Sequence, residues 1–306
     1  MKKNKLFLKL MGGVGNQMFQ YAAVYQVAKN KGFEIIVDKS SFYTWAWLRK
    51  GVYQLGYIVE GIVEKRNPIY FKLLYMRKPI PTLYKFIRAV MNKIKNITKN
   101  IYYEKKEFSY DSGIENIKNG MEVLGYFQSY KYFDEYSDDI KKIFGNITMS
   151  SGANKYLNNI HKSTCSISIH YRNYHDPLNG NKEVADILGQ ISIEYYKKAL
   201  EIIHEKYPDA DIYIFSNTID TAKDLFKNYE NTFFVSYDIN EEYHADDMVL
   251  MSKCNHNIIA NSSYSWWSAY LNSNPDKIVI APKSWGNLLK GREDDNDLLP
   301  EDWIKL

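Results

Sequence analysis

The pattern of hydrophobic and polar positions divides the chain into two regions in which strand-like and helix-like segments alternate. The first region begins with a short strand at 5–10, a glycine-rich turn at 11–17, a helix at 18–30 and a second strand at 34–38. Gly32 ends the predicted helix, as glycine often does. A strand, a helix and a strand of these lengths predict a βαβ unit with parallel strands.

The pattern is less regular after this unit. Three prolines break any long helix in the middle of the chain, namely Pro68, Pro79 and Pro81. A strand is predicted at 122–126 and a helix at 130–143. The polar, glycine-containing stretch at 145–155 is typical of a linker, and we place a domain boundary there, at residue 150.

In the second region the alternation is regular. Strand-like runs occur at 164–170, 211–215, 232–235, 257–260 and 277–281. Helix-like runs lie between them, at 192–207, 221–229, 245–254 and 265–272. Such alternation predicts a parallel sheet that helices cover on both faces. We therefore predict an α/β protein with two Rossmann-like domains, 1–150 and 151–306, that face a cleft.

Composition and length are those of a globular protein. The chain has 306 residues, of which 45% are hydrophobic. No run approaches the ~20 apolar residues that span a bilayer, and the apolar stretch at 6–11 is too short for a signal peptide. Cys165 and Cys254 lie in apolar-rich segments, which predicts buried thiols and no disulfide framework. These features predict a cytoplasmic protein that contacts a membrane only peripherally, if at all.

Positive charge is concentrated in one segment. The net charge is +4, yet residues 65–106 contain twelve Lys and Arg and a single acidic residue, Glu104. Aromatic and aliphatic side chains are interleaved with these cations, which is typical of a peripheral contact with an anionic membrane surface. A solvated face is the alternative. We expect no nucleic-acid partner, because no recognised binding motif accompanies the charge.

The turn between the first strand and the first helix is a candidate ligand site. Gly13 and Gly15 permit a close approach of the backbone to a ligand. Asn16 and Gln17 supply amides that can contact sugar hydroxyls or phosphate. A dinucleotide fingerprint would need a third glycine where this chain has Met18. A plain tight turn is the alternative interpretation.

A second candidate site follows the strand at 164–170, in the sequence HYRNYHD at 170–176. Ligands of open α/β sheets bind beyond the carboxyl ends of the strands. The guanidinium of Arg172 can grip a diphosphate and stabilise charge as it departs. Asp176 or His175 can act as a base or orient one. A structural ion pair between Arg172 and Asp176 is the alternative.

Two further strand-like runs end in short polar side chains, namely Ser216, Asn217, Asn261, Ser262 and Ser263. Such residues are preferred helix caps. The amides of a first helical turn also favour an anion, so we predict ligand contacts at both turns. No cluster of side chains has the spacing of a metal site, and we predict no metal.

Five segments together resemble glycosyltransferase family 11, the α-1,2-fucosyltransferases. They are GGVGNQMFQYA at 12–22, GYFQSYKYF at 125–133, HYR at 170–172, CNHNIIANSSYSWWSAYL at 254–271 and APKSW at 281–285. These segments extend from the first strand to near the C-terminus. The resemblance therefore covers most of the chain.

The resemblance implies a GT-B-like architecture and inverting transfer of L-fucose from GDP-β-L-fucose, without a metal or other cofactor. The acceptor would be the 2-hydroxyl of a galactose-type oligosaccharide or lipid-linked glycan, in the synthesis of a surface polysaccharide such as O-antigen or capsule. It also implies that His170 and Arg172 hold GDP, with Arg172 on the β-phosphate. The turn at 261–263 would add phosphate contacts. The C-terminal domain would bind the donor and the N-terminal domain the acceptor.

The chain departs from the family's usual H-x-R-R-G-D motif. The last three positions hold other residues, namely Asn173, Tyr174 and His175, and Asp176 is displaced by one. Asn217 stands where the family often has Asp. For the base we consider Asp176 first, then His175, then Asp38. Two other functions stay open, an NAD(P)-dependent oxidoreductase and a non-catalytic sugar-binding protein of the same fold.

Overall fold

The computed structural model describes residues 3–43, 52–65, 100–176, 182–237, 245–286 and 296–306. The chain divides into two compact units, an N-terminal unit at Met1–Ser137 and a C-terminal unit at Asp138–Leu306. Each unit is built on one parallel β-sheet with helices. The predicted α/β, GT-B-like fold class is confirmed, whereas the cleft between the domains stays a prediction.

Among the residues that the structure describes, the N-terminal unit has five strands and one long helix. In chain order these are β1 (Asn4–Lys9), α1 (Val14–Lys31), β2 (Phe33–Asp38), β3 (Val63–Glu64), β4 (Ile101–Tyr103) and β5 (Glu122–Leu124). The strand order is β3-β2-β1-β5-β4, and every neighbouring pair is parallel. Short 3₁₀ turns occur at Ser40–Tyr43, Leu55–Tyr57, Ser112–Asn116, Tyr130–Tyr132 and Asp134–Tyr136. The predicted βαβ unit is β1–α1–β2.

Glycines set both ends of α1. Gly12 has a φ of 79°, and a Cβ atom there would lie 2.6 Å from the amide nitrogen of Asn16. Only glycine adopts this left-handed turn without strain. Gly32 ends the helix with a φ of 65°, and its N–H donates to the carbonyl of Ala28. The glycines therefore fix the path from β1 into α1 and from α1 into β2.

Gln17 joins the start of α1 to the loop that begins at residue 52. Its Nε2 donates to the carbonyls of Gly12, at 3.0 Å, and Val52, at 2.8 Å. Its Oε1 accepts from the N–H groups of Gln54, at 3.0 Å, and Leu55, at 3.1 Å. Both donor hydrogens and both acceptor positions of this buried amide are thus used inside the fold. We therefore correct the predicted ligand contact of Gln17 to a structural role.

The C-terminal unit alternates strands and helices from end to end. Its elements are α2 (Ser137–Gly145, whose first residue belongs to the N-terminal unit), α3 (Ser151–Lys162), β6 (Ser166–Tyr171), α4 (Lys182–Leu188), α5 (Ile193–His204), β7 (Asp211–Ser216), α6 (Ile219–Phe226), β8 (Thr232–Phe234), α7 (Asp246–Lys253), β9 (His256–Ile258), α8 (Ser263–Leu271), β10 (Val279–Ala281) and β11 (Ile304–Lys305). The strand order is β11-β10-β9-β6-β7-β8, again parallel throughout. The predicted alternation is confirmed, although α3, α4 and β11 were not predicted.

Helices cover both faces of the C-terminal sheet. Ile212 and Ile214 of β7 pack in a core with residues of α5 and α6. Tyr213 and Phe215, which alternate with them, pack in a second core with residues of α3 and α7. Strand β6, between its neighbours, is buried at every position. Because it is buried on two faces, β6 contains no Asp, Glu, Lys or Arg.

The domain boundary differs from the prediction. The units divide between residues 137 and 138, whereas we placed the boundary at residue 150. Ser150 caps α3: its Oγ accepts the N–H of Ala153 at 3.2 Å and donates to the carboxylate of Asp246 at 2.5 Å. The polar stretch is therefore the junction of α2 and α3 within the C-terminal unit. Helix caps and linkers use the same residue types, so composition could not separate them.

Other predictions are corrected or fall outside the described ranges. The predicted helix at 130–143 consists of two 3₁₀ turns followed by α2. Cys254 is buried as predicted, but Cys165 is only half-buried. Most of the basic segment at 65–106 lies outside the described residues, which include only 65 and 100–106 of it. In the described ranges, no helix combines the length and the apolar character that crossing a bilayer requires.

The four hydrogen bonds of Gln17 predict a stability effect. We expect Gln17→Met to destabilise the protein by about 2 kcal/mol, because it leaves backbone groups of the 52–55 loop without partners. The measurement is the midpoint of urea unfolding. Gln26→Met in the same helix is the matched control, since the Gln26 side-chain oxygen is buried and has no hydrogen-bond partner in the described residues. Equal midpoints for the two variants would contradict the assignment.

Candidate active site

The candidate site lies where the strand order of the C-terminal sheet reverses. From β6 the chain continues through β7 to β8 on one side, and β9, β10 and β11 lie on the other. The loops that leave β6 and β9 therefore diverge, and the carboxyl ends of these two strands border a crevice. In open α/β sheets this reversal point is the usual ligand site. Arg172 follows β6, and the sequence 261–263 follows β9.

His170 is a neutral, buried side chain at the end of β6. Burial, together with a smaller effect of the neighbouring Arg172 charge, lowers the pKa of His170 to about 3. The ring lies 6.0 Å from the ring of Tyr264 in α8. Its Nδ1 has no hydrogen-bond partner in the described part of the chain. A buried, unpaired ring nitrogen is costly, which favours a ligand group as its partner.

Arg172 is partly exposed at the rim of this crevice. The carbon of its guanidinium lies 5.5 Å from the ring centroid of Tyr174. Its backbone carbonyl accepts from Nε2 of Gln190 at 2.9 Å. The hydroxyl of Tyr174 donates to the carbonyl of Asn261 at 2.9 Å. This bond joins the loop after β6, which carries Arg172, to the loop after β9, which leads into α8.

The sequence Asn261-Ser262-Ser263 leads into the N-terminus of α8. Asn261 is buried and donates from Nδ2 to the carbonyl of Leu188 at 2.8 Å, while its Oδ1 has no partner within the described ranges. Ser262 caps the helix by accepting the N–H of Tyr264 at 3.3 Å. Ser263 is the first helical residue and is partly exposed. The first turn contains no acidic residue, so an anion here would meet only favourable partial charge.

The tryptophans of the same segment anchor α8. Trp266 and Trp267 are fully buried. Trp266 stacks on Tyr270 at 4.9 Å and donates from Nε1 to the carbonyl of Leu298 at 2.8 Å. Trp267 contacts Phe144 of α2 edge-on, with ring centroids 5.1 Å apart. These contacts fix the helix whose N-terminus borders the crevice, and the rings themselves are not available for stacking on a ligand.

Ser216 and Asn217 shape the loop after β7. The Oγ of Ser216 accepts the N–H of Thr218 at 3.0 Å. The side chain of Asn217 accepts the backbone N–H of Asn173 and donates to its carbonyl, both at 2.9 Å. The contacts described are therefore structural. They hold the loop that carries Arg172, and the predicted ligand contacts of Ser216 and Asn217 stay predictions.

The three candidate bases differ in their surroundings. His175 is exposed and Asp176 partly exposed, in a loop that continues into residues outside the described ranges. Asp38 is buried, accepts the N–H of Ser40 at 2.9 Å and pairs with Lys65 at 2.9 Å. Burial alone would raise the pKa of Asp38, but these hydrogen bonds and the Lys65 charge outweigh it and lower the pKa. Asp38 is therefore a weak proton acceptor, which leaves Asp176 and His175.

In the N-terminal unit, the turn after β1 meets the segment after β5. Nε2 of Gln128 donates to Oδ1 of Asn16 at 2.9 Å. Gly13 is exposed and Gly15 is buried at the start of α1. Since β1 and β5 are neighbours at the point where the order of this sheet reverses, this turn occupies the ligand edge of its own unit.

The structure adds one residue that the sequence analysis assigned only to a helix start, Asp247. Its Oδ1 accepts the hydroxyl proton of Tyr237 at 2.6 Å. Burial raises the pKa of Asp247 to about 6, and the charge of Asp246 adds to the increase. The hydroxyl of Tyr264 accepts the N–H of Met248 at 3.0 Å. The cluster formed by Asp247, Tyr237 and Tyr264 adjoins His170, because the Tyr264 ring lies beside the His170 ring. The partners of Asp247 are distant in sequence. The only local signal was the adjacent pair of acidic residues, Asp246 and Asp247.

An α/β fold with a guanidinium and a helix N-terminus at the switch point of its sheet defines an enzyme-like, phosphate-binding class of site. The chain belongs to glycosyl transferase family 11, whose family model matches residues 78–306. The resemblance found in the sequence is thereby confirmed, and the protein is a glycosyltransferase. The glycosyltransferase assignment therefore replaces the alternative of an NAD(P)-dependent oxidoreductase.

Two curated relatives from Escherichia coli cover nearly the whole chain. The O-antigen biosynthesis glycosyltransferase WbnK is 30% identical over 97% of this chain and 99% of its own length. An alpha-1,2-colitosyltransferase is 28% identical over 97% of each chain. Among solved structures, the fucosyltransferase NodZ from Bradyrhizobium matches with a TM-score of 0.47 and 13% identity, over 88% of this chain and 92% of NodZ.

The raised pKa of Asp247 predicts a pH-dependent stability. The folded protein keeps this proton up to about pH 6, whereas the ordinary value is 3.8. Stability should therefore fall as the pH rises from about 4 to about 6. We expect Asp247→Asn to remove this contribution to the decrease in stability. The measurement is the midpoint of urea unfolding across that pH range. Asp220→Asn, at an exposed carboxylate, should follow the wild type. Parallel curves for Asp247→Asn and the wild type would refute the prediction.

Proposed function

We propose that this glycosyltransferase moves L-fucose from GDP-β-L-fucose to the 2-hydroxyl of a galactose-type acceptor, with inversion to an α-linkage. The observation that carries the proposal is the Tyr174–Asn261 hydrogen bond, which joins the loop that carries Arg172 to the loop that leads into α8, in a chain of family 11. The relatives named for O-antigen biosynthesis and for alpha-1,2 transfer support a surface polysaccharide such as O-antigen or capsule as the product.

The diphosphate of the donor would lie between Arg172 and the first turn of α8. The guanidinium binds phosphate oxygens in pairs. The amides of the turn and the cap hydroxyl of Ser262 supply further donors, with Ser263 at the helix start. Both kinds of group favour negative charge and are already held in place by the Tyr174–Asn261 bond. We propose that they neutralise departing GDP without a metal ion. In the described ranges, no three acidic, histidine or cysteine side chains cluster as a metal site would.

The nucleotide base would lie against His170 and the Asp247 cluster. A neutral imidazole nitrogen can pair with a polar edge of a purine. A carboxylate is the matching acceptor for the two adjacent N–H donors of guanine, which adenine lacks. Asp247 is partly exposed and lies beside Tyr264, whose ring adjoins His170. This placement supports a guanine nucleotide as the donor's carrier.

In the proposed reaction, the acceptor hydroxyl attacks the anomeric carbon from the face opposite GDP. A carbon–oxygen bond to the acceptor forms as the bond to the β-phosphate oxygen breaks, and GDP leaves with the electron pair. The transition state resembles an oxocarbenium ion, as in glycoside hydrolysis. The proton of the hydroxyl passes to a base, for which we propose Asp176 first and His175 second. Arg172 stabilises the negative charge that develops on the leaving phosphate.

A second donor is favoured by one observation. The alpha-1,2-colitosyltransferase of Escherichia coli is 28% identical over 97% of this chain. Colitose lacks the 3-hydroxyl of fucose, so the two donors differ at one position of the sugar. GDP-colitose is therefore the alternative donor.

We propose a location at the cytoplasmic face of a membrane, where a lipid-linked glycan acceptor would be found. The cations and aromatic side chains of residues 65–106 support a peripheral contact with anionic head groups. This sequence feature is the only support for the contact, and the fucosyl transfer itself does not depend on it.

Arg172 is the most direct test of the site. We expect Arg172→Ala to lower kcat by about 10²–10³, the usual cost of losing one well-placed donor to a developing oxyanion. Arg172→Lys should recover only part of the rate, because an ammonium lacks the planar pair of N–H donors with which a guanidinium binds two phosphate oxygens in parallel. Lys198→Ala, at an exposed cation of α5, is the control and should behave as the wild type. Near-normal transfer by Arg172→Ala would refute the assigned role.

The donor and acceptor are tested with the purified enzyme. GDP-fucose or GDP-colitose is mixed with a panel of galactosides, and GDP release and product mass are followed. We expect a deoxyhexose to be added to galactose from GDP-fucose, in an α-1,2 linkage by NMR, with the rate unchanged by EDTA. Transfer only from GDP-colitose would select the alternative donor. Turnover lost in EDTA would exclude the metal-independent mechanism, and binding without GDP release would indicate a non-catalytic protein.

A further inference from the structure

The carboxyl edge of the N-terminal sheet contains a carboxylate with no role in the scheme above, Glu104. It follows β4, and its backbone N–H donates to the carbonyl of Leu124 at 2.9 Å, which continues the pairing of β4 with β5. Glu104 is partly buried beside the segment that follows β5. We name this segment, Gly125–Gln128, the β5 loop.

Glu104 binds the β5 loop through both of its oxygens. Oε2 accepts the N–H of Tyr126 at 2.7 Å, and Oε1 accepts the N–H of Phe127 at 3.0 Å. A Cβ atom on Gly125 would lie 2.4 Å from the Cβ of Glu104. The loop backbone therefore lies directly against the glutamate, and glycine is needed for that approach.

The conformation that Glu104 holds is a strained one. Phe127 has a φ of 51°, in the left-handed region that a non-glycine residue rarely adopts. Its ring is fully buried, stacked on Tyr102 at 6.4 Å and edge-on to Tyr132 at 5.4 Å. Two charge-assisted hydrogen bonds and this packing offset the strain.

The β5 loop in turn contacts the turn after β1. Gln128 donates to Asn16 at 2.9 Å. The Tyr126 ring lies so close to Gly12 that a Cβ there would be 3.2 Å from it. Tyr126, Gln128 and Asn16 are all partly exposed at this edge. An aromatic face with neighbouring amides suits a sugar, whose C–H face stacks on rings and whose hydroxyls bind amides.

We propose that Glu104 is a positioning residue for the acceptor: its ionised carboxylate holds the β5 loop so that Tyr126 and Gln128, beside Asn16, bind the galactose-type glycan. The assignment of the glycan rests on the proposed function. Glu104 does not serve as the base, because both of its oxygens are engaged by the loop backbone. Its effect should fall on acceptor binding, not on the donor.

The surroundings of Glu104 make its hydrogen bonds to the β5 loop dependent on pH. The pKa of Glu104 is raised to about 7, mainly by burial. The hydrogen bond from the Phe127 N–H opposes this rise, and the charges of Glu107 and Asp111 contribute to it. The tyrosines packed beside it, Tyr102 and Tyr132, are neutral because burial raises their pKa values. A protonated carboxyl turns one acceptor oxygen into a donor, so one of the two loop N–H groups loses its partner below this pH.

The test compares Glu104→Gln with Glu107→Gln, which removes the same charge at an exposed neighbour. We expect Glu104→Gln to raise the acceptor KM about tenfold and to leave the GDP-fucose KM within about twofold. In the wild type, acceptor kcat/KM should rise with pH through about 7. That rise should vanish in Glu104→Gln and persist, at lower pH, in Glu107→Gln.

Two measurements need no turnover and so separate this proposal from the fucosyl transfer itself. Hydrogen exchange at pH 8 should be faster at residues 122–130 in Glu104→Gln than in Glu107→Gln, and titration calorimetry should show weaker galactoside binding. If the wild type transfers no sugar, these two results still decide the role of Glu104. The proposal is overturned by unchanged acceptor affinity in Glu104→Gln, by an equal loss of donor affinity, or by a pH profile that the substitution leaves intact.

Discussion

The hydrogen bond from the Tyr174 hydroxyl to the Asn261 carbonyl, at 2.9 Å, is the constraint on which the candidate active site depends. Strands β6 and β9 are neighbours, but the chain leaves them in opposite directions across the sheet. Without a bond between the two loops, Arg172 and the N-terminus of α8 would be positioned independently. Tyr174 is buried, so breaking this bond would leave polar groups without water to replace it. The relative placement of the two loops thus depends on this contact.

Much of the fold could be predicted because the C-terminal sheet is buried on both faces. The β6 sequence SISIHY has no exposed position, and such strands stand out as continuous runs between helices. Elements without such a signal were missed. β11 has two residues and depends on pairing with β10, which no local pattern reveals. The domain boundary was misplaced because Ser150 caps a helix with the same residue types that form linkers.

The same distinction applies to the site. Arg172 and Ser263 were predicted from their positions after strands, because topology alone brings the carboxyl ends of parallel strands together. His170, which lies within β6, was implied only by the family resemblance. The partners of individual side chains were not predictable. Gln17 looked like a ligand amide but bonds a loop at residues 52–55. Asp247 and Glu104 acquire their raised pKa values mainly from burial, which depends on tertiary packing. Periodicity predicts where a backbone lies, not what a polar side chain contacts.

The departures from the family motif have a structural explanation at one position. Asn217 must accept the N–H of residue 173 and donate to its carbonyl, and an aspartate could do only the first. This clamp uses the backbone of Asn173, so it does not require an arginine there. Arg172 is then the only arginine or lysine in the sequence 170–176. With one guanidinium facing a diphosphate, we infer that more of its charge must be balanced by backbone dipoles, and the rigidly anchored N-terminus of α8 is placed to provide them.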